Sequence, residues 1–225
     1  MKSIFLWGGV GVAIAAGIFL VLSFATPPAQ DQQNDLASPL SLPVSARDNI
    51  KGNRDSSLVL VEYGDFQCPA CAAYVSLIKQ LEQEFGSEIA VVYRHFPLRQ
   101  IHPNAELSAR AAQAAALQGK FWEMHDVLFE KQSSWAKISN PEDTFAEYAV
   151  SVGLDEQQFR NDLKSNEVRD RVQEDYASAL ADGLNGTPSF FFRGVRISNP
   201  QTYEQFRQLI SSALGEHGSS KEAAE

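Results

Sequence analysis

The chain reads as an α/β protein, a mixed domain with a block of helices inserted in its middle and an apolar amino-terminal segment in front. Two short β-favouring runs at 57–63 and 89–93 flank a stretch with one-sided helical spacing. Helical periodicity then fills about 102–182, and strand signals return between 189 and 198 before a last amphipathic segment. Alternation of strand and helix at both ends, with helices between, is the pattern of an α/β domain carrying a helical insertion.

The amino-terminal segment comes first. Ile4 to Ala25 runs for 22 residues without a charge, and a bilayer-crossing helix needs about 20. Ser23 and Ala25 also form a small-x-small cleavage pattern, so two readings stand for residues 1–25: a retained transmembrane helix, or a signal segment removed on export. Both put the remainder of the chain outside the cytoplasm, periplasmic or otherwise extracytoplasmic. Lys2, alone before the segment, agrees with an amino terminus held inside. The expected location is therefore the cell membrane, crossed once. No cysteine lies in or just after this stretch, which excludes a thioether lipid anchor there. Residues 26–47 mix four prolines with small and polar residues and read as a linker.

The folded domain is expected over 48–215. Ser57 to Tyr63 is too continuously apolar for an edge strand and suggests one covered on both faces. Cys71 to Phe85 places apolar residues at 71, 74, 75, 78, 81 and 85, one face of a helix. With Ile89 to Tyr93 as the next strand, the order implies a parallel pair joined by a right-handed crossover. His102 to Lys131 reads as one long helix or two, alanine-rich enough to pack closely. Pro141 to Val152, Asp155 to Leu163 and Val168 to Leu180 continue the helical block. Ser189 to Arg193 and Val195 to Ser198 read as a hairpin turned at Gly194, and Gln201 to Leu214 as a final helix. Residues 216–225 are expected to form a flexible tail.

Charge narrows the function classes. The first 47 residues are neutral, so the whole formal charge of −9 falls on the domain. With no cluster of Lys and Arg to neutralise phosphates, nucleic acid is not an expected partner.

The chain has two cysteines, Cys68 and Cys71, two residues apart where a strand ends and a helix begins. Unpaired N–H groups and the positive end of the helix dipole would face the Cys68 sulfur, favouring its thiolate. A cysteine so placed can have its pKa lowered into a range of roughly 3.5–7.5, and Pro69 suits the first helical turn. Cys71, one turn on and deeper, could close a disulfide with it. A purely structural disulfide would constrain little, because the loop is so short. Half of a zinc site would want further ligands, yet His95, His102, His125 and His217 do not pair at the spacing zinc fingers use. A redox-active pair beside a β-α-β pattern fits best. No metal and no organic cofactor are expected.

Two further residues join this reading. Glu62 sits inside the apolar strand on the same face as Leu58 and Leu60. It is either a buried functional carboxyl, with a raised pKa suited to exchanging a proton with Cys71, or a partly solvated strand end. In Gly186-Thr187-Pro188-Ser189-Phe190 a proline opens a strand, and base rates alone leave the preceding peptide bond trans.

The stretches Val61-Glu62-Tyr63-Gly64-Asp65-Phe66-Gln67-Cys68-Pro69-Ala70-Cys71, Tyr93-Arg94-His95-Phe96-Pro97-Leu98, Gly119-Lys120-Phe121-Trp122-Glu123-Met124-His125 and Gly186-Thr187-Pro188-Ser189-Phe190-Phe191, in this order, resemble the DsbA-like thiol–disulfide oxidoreductases, notably their exported or membrane-anchored bacterial branch. The resemblance runs from about Ser57 to Leu214. It implies a thioredoxin-like fold with an inserted helical domain, with Cys68 as the exchanging sulfur and Cys71 as the resolving one. It implies that Pro188 is a cis-proline facing the pair, that the Thr187 backbone binds an extended substrate segment, and that Glu62 is the family's buried acid. Reduced exported proteins would be the substrates, and a quinone-linked membrane protein would restore the disulfide. Ala70 departs from strongly oxidising relatives, which carry histidine there, so a less oxidising pair is expected. A dithiol oxidase is the reading preferred; a reductase or isomerase, and a non-catalytic membrane-tethered client-binding module, are the alternatives.

Overall fold

The computed structural model describes residues 39–222, with side chains as far as Glu216. The expected anchor or signal segment at 1–25, and the linker as far as residue 38, lie outside the described residues. Among those described, no helix is long and apolar enough to cross a membrane.

Strands β1 (Asn49–Gly52), β2 (Leu58–Gly64) and β3 (Ile89–His95), with helix α1 (Pro69–Phe85) between the last two, build the first half of the sheet. Helices α2 (Ala105–Leu117), α3 (Phe121–Glu130), α4 (Gln132–Trp135), α5 (Glu142–Ser151), α6 (Glu156–Leu163) and α7 (Asn166–Ala181) form the insertion. Strands β4 (Ser189–Phe192) and β5 (Val195–Ile197) and helix α8 (Tyr203–Glu222) complete the domain. The sheet order is β1-β3-β2-β4-β5. β2 and β3 run parallel, as the intervening helix requires, and every other neighbour is antiparallel.

The central strands read as continuous apolar runs because both their faces are covered. Leu58 and Leu60 pack with Ile78 and Leu81 of α1 and with Phe206 and Ile210 of α8. Val61 and Tyr63, turned the other way by strand alternation, pack with Phe191, Ala179 and Leu184. The insertion has its own core around Trp135, Phe145, Phe159 and Leu163, and this core reaches Cys71 and Phe66.

Three features differ from the sequence expectation. β1 went unread because Asn-Ile-Lys-Gly has no period; it forms by pairing with β3. The stretch at 102–131, read as one helix or two, is two, divided at Gly119, which adopts φ +73, a conformation glycine takes without steric cost. The last helix continues to Glu222, past the expected start of the tail. Finally, residues 39–47, expected as linker, lie against the domain. Leu40 N–H donates to the Gly194 carbonyl (2.7 Å) and Ser41 N–H to Asp182 (2.7 Å), while Leu40 and Val44 pack on the core beside Phe191. The prolines suggested a free spacer, but two apolar side chains find buried partners.

Arg94 and Arg171 tie these parts together. Arg94 is fully buried, 2.8 Å from Asp48, and donates to the Leu42 and Pro43 carbonyls. Arg171 on α7 reaches the same Asp48 (3.3 Å) and also pairs with Asp175.

Candidate active site

The turn from β2 into α1 is built by hydrogen bonds that hold its backbone open toward the helix end. Asp65 is buried and accepts from Gln67 N–H (2.7 Å), from Leu98 N–H (2.9 Å) and from His102 Nδ1 (2.7 Å). Gln132 of α4 donates to the Phe66 and Cys68 carbonyls (2.8 and 3.0 Å). Gln67 donates to the Ala136 carbonyl and accepts from Asn104 N–H (both 2.7 Å). Cys68 is left as the residue before the first helical turn, in an extended conformation, with Pro69 opening the helix.

The two thiols are free, Cys68 6% exposed and Cys71 fully buried. Their acidities diverge. A hydrogen bond from the Cys71 thiol is the main reason the Cys68 pKa drops from 9.0 to about 5. It outweighs burial, with help from Thr187 and from the backbone N–H groups of Cys71 and Ala70. Those N–H groups belong to the first turn of α1, where no carbonyl within the helix can accept from them. Burial pushes the Cys71 thiol well above 9.0, and its hydrogen bond to Cys68 and the charge of Glu62 push the same way.

Glu62 is buried (6% exposed) and lies level with Tyr93 on β3 and Phe190 on β4. Burial, and secondarily the charge on Cys68, raise its carboxyl from 4.5 to about 8. It borders a small hollow of about 10 Å3 between α1, the sheet and α3, lined also by Lys79, Tyr93, Trp122 and His125. That is room for one water molecule. The Tyr93 hydroxyl is buried with no hydrogen-bond partner among the described residues.

On the other side of Cys68 lies the loop before β4. The Thr187–Pro188 peptide bond is cis, and the Thr187 carbonyl stands 3.5 Å from Cys68 Sγ. All five residues singled out from sequence, Glu62, Cys68, Cys71, Thr187 and Pro188, therefore converge around one sulfur. Sequence reasoning missed Asp65, His102 and Gln132. Asp65 could have been suspected as a turn acceptor four residues before the helix; the other two come from distant segments without a local signal. Among the described residues, no three of His, Cys, Asp or Glu gather as a metal site.

A thioredoxin family model matches residues 45–212. The chain belongs to the thioredoxin family. Among solved thioredoxin-fold structures, a thioredoxin-like oxidoreductase from Silicibacter pomeroyi is 27% identical with a TM-score of 0.65, covering 76% of this chain and 94% of its own. BdbD from Bacillus subtilis superposes with a TM-score of 0.70 at 19% identity, covering 80% and 98% of the two chains. Wolbachia pipientis alpha-DsbA1 does so with 0.68 at 18% identity, covering 79% and 95%. The thioredoxin fold with inserted helices is thus the arrangement found in DsbA-like proteins. Curated relatives carry a different name: the Na(+)/H(+) antiporter NhaA 1 of Mycolicibacterium vanbaalenii is 40% identical over 188 residues, which is 81% of this chain and 28% of the antiporter. The NhaA of Herminiimonas arsenicoxydans is 37% identical over 180 residues, 80% of this chain and 28% of that protein. The chain spans under a third of the antiporter relatives it matches.

Proposed function

We propose that this thioredoxin-family chain is a thiol–disulfide oxidoreductase whose Cys68–Cys71 pair acts as a dithiol oxidase on cysteines of exported proteins. The opposite displacement of the two thiols carries this reading: Cys68 is an anion at neutral pH and Cys71 keeps its proton. A pair that stabilises its reduced state through a thiolate gives up its disulfide readily.

The steps follow from that asymmetry. A client thiolate attacks Cys68 of the oxidised pair; the sulfur–sulfur bond breaks and its electron pair leaves on Cys71. Cys71 takes a proton from Glu62, a carboxyl raised to about 8 and so able to hold that proton near neutrality. The client's second thiolate then attacks the client sulfur of the mixed disulfide, and Cys68 departs as the thiolate that the Cys71 thiol and the α1 N–H groups stabilise. The client has lost two electrons and two protons. The pair has gained the electrons, one proton rests on Cys71 by way of Glu62, and the other goes to water. The Thr187 backbone, beside Cys68, lays the client down as an added strand, with affinity from main-chain hydrogen bonds. A quinone-linked membrane protein restores the disulfide, and the domain works outside the cytoplasm, tethered or released according to the fate of residues 1–25.

Ala70, without an imidazole, favours the second reading, a reductase or isomerase. Equilibration with glutathione buffers separates the two. The oxidase reading expects a reduction potential well above that of thioredoxin, about −270 mV; a value at or below that level overturns it. Ion exchange, in the names of the antiporter relatives, is stated of proteins more than three times as long as the stretch shared with this chain.

A further inference from the structure

The loop that carries Thr187 and Pro188 forms one wall of a second hollow. This is an open groove of about 360 Å3, and its polar lining is Asn185, Thr187, Ser189, Arg196, Ser198 and Asn199. Arg196 pairs with Phe191 across β4 and β5, so its side chain stands on the same face of the sheet as Phe191.

Two observations mark the groove. It contains no Asp or Glu, in a protein that holds 28. Its cation is also unclaimed: Arg193 is bound to Glu216 and Arg207 to Glu84, whereas the half-buried Arg196 guanidinium has no acidic partner among the described residues. Much of the remaining polar lining is engaged. Asn199 Nδ2 donates to the Pro188 carbonyl (2.7 Å) and Ser189 Oγ to the Gly186 carbonyl (2.9 Å). The buried Thr187 hydroxyl is turned to Cys68, whose thiolate it helps to stabilise. The groove therefore offers hydrogen-bond donors and one positive charge to whatever enters it.

Its position decides what enters. Thr187 lines the groove and its carbonyl lies 3.5 Å from Cys68 Sγ. A polypeptide whose cysteine has reached Cys68 and whose backbone passes Thr187 advances roughly 3.3–3.6 Å per residue. Side chains a few residues from its cysteine then come within reach of this wall.

We infer that the groove selects clients with a carboxylate close to the reactive cysteine, within about three residues along an extended chain, by pairing that carboxylate with Arg196. The inference rests on the reading of Cys68 as the exchanging sulfur. A partly exposed ion pair of this kind corresponds to a preference of about two- to fivefold.

The test uses the oxidised full chain and a set of single-cysteine peptides of equal net charge. In each, Asp or Ser occupies one of the three positions on either side of the cysteine, with a balancing Lys far away. Acid-quenched mass spectrometry reads the rate of mixed-disulfide formation at Cys68. The expected result is a two- to fivefold advantage for Asp at one or more positions, abolished in Arg196→Gln and reversed, with Ser favoured over Asp, in Arg196→Glu. Equal rates for Asp and Ser peptides on the unaltered chain overturn the inference while leaving the oxidoreductase reading intact; so does an advantage that survives in Arg196→Gln. Should no peptide form a mixed disulfide, both readings fall together.

Discussion

At the scale of single residues, Glu62 and Cys68 oppose each other in their effect on stability. Cys68 ionises at about 5 in the folded protein against 9.0 ordinarily, so the folded state binds fewer protons than the unfolded one between those values and gains stability as pH rises. Glu62 keeps its proton to about 8 against 4.5, so the folded state binds more protons there and loses stability as pH rises. In Glu62→Gln the second effect disappears. The reduced variant should gain stability over the unaltered protein progressively from pH 4.5 to 8, read as the urea midpoint at each pH. It should also protonate Cys71 more slowly, cutting turnover on a dithiol peptide at pH 7 by about 100-fold; an unchanged turnover would remove Glu62 from the mechanism. Cys68, Cys71 and Glu62 were legible in the sequence because their chemistry is local, two cysteines at a helix start and a carboxyl within an apolar strand, whereas the roles of Thr187 and Pro188 came from the family resemblance. Asp65, His102 and Gln132 were not legible, since their contacts with the active-site turn join residues brought together only by folding.

At the scale of elements, Gly64 shows why β2 and β3 can approach under the site. A Cβ there would lie 2.5 Å from Cε2 and the hydroxyl of the buried Tyr93 ring, which would have to shift. Gly64→Ala is therefore expected to cost about 1–3 kcal/mol by overpacking and to lower the melting temperature by about 2–4 °C per kcal/mol, measured by thermal unfolding. A melting temperature unchanged within error would show that the ring can shift. The helices of the insertion were legible from their periodicity, and so were the paired strands β2 and β3, because covered strands are continuously apolar. β1 was not: four residues with two polar side chains and a glycine become a strand only when β3 is there to pair with. The hairpin at β4 and β5 was legible through Gly194, and the structure adds that Arg193 shares its positive φ (53 and 77 for the two residues), the conformation that two-residue hairpin turns of matching twist demand.

At the scale of the whole molecule, residues 39–47, the sheet and α7 meet at the Asp48–Arg94–Arg171–Asp175 cluster. Burial, opposed by Arg171, holds the Asp175 carboxyl at about 6. A chain shortened to begin at Asp48 leaves Arg94 without the Leu42 and Pro43 carbonyls and strips Leu40 and Val44 from the core. It should unfold at lower denaturant, with a loss of about 1–3 kcal/mol; an unchanged urea midpoint would mean that the segment is bound without contributing. The division between fold and spacer was the part of the domain plan least legible in sequence, because proline content marks chain stiffness but not whether apolar neighbours such as Leu40 find a surface.

The same segment governs how the domain bears tension. A pull arriving from the amino-terminal side meets the body at the Leu40–Gly194 and Ser41–Asp182 hydrogen bonds and at the arginine behind them, away from the turn that presents the reactive sulfur. A load entering on that side must pass this clasp before it reaches the sheet and the cysteine turn.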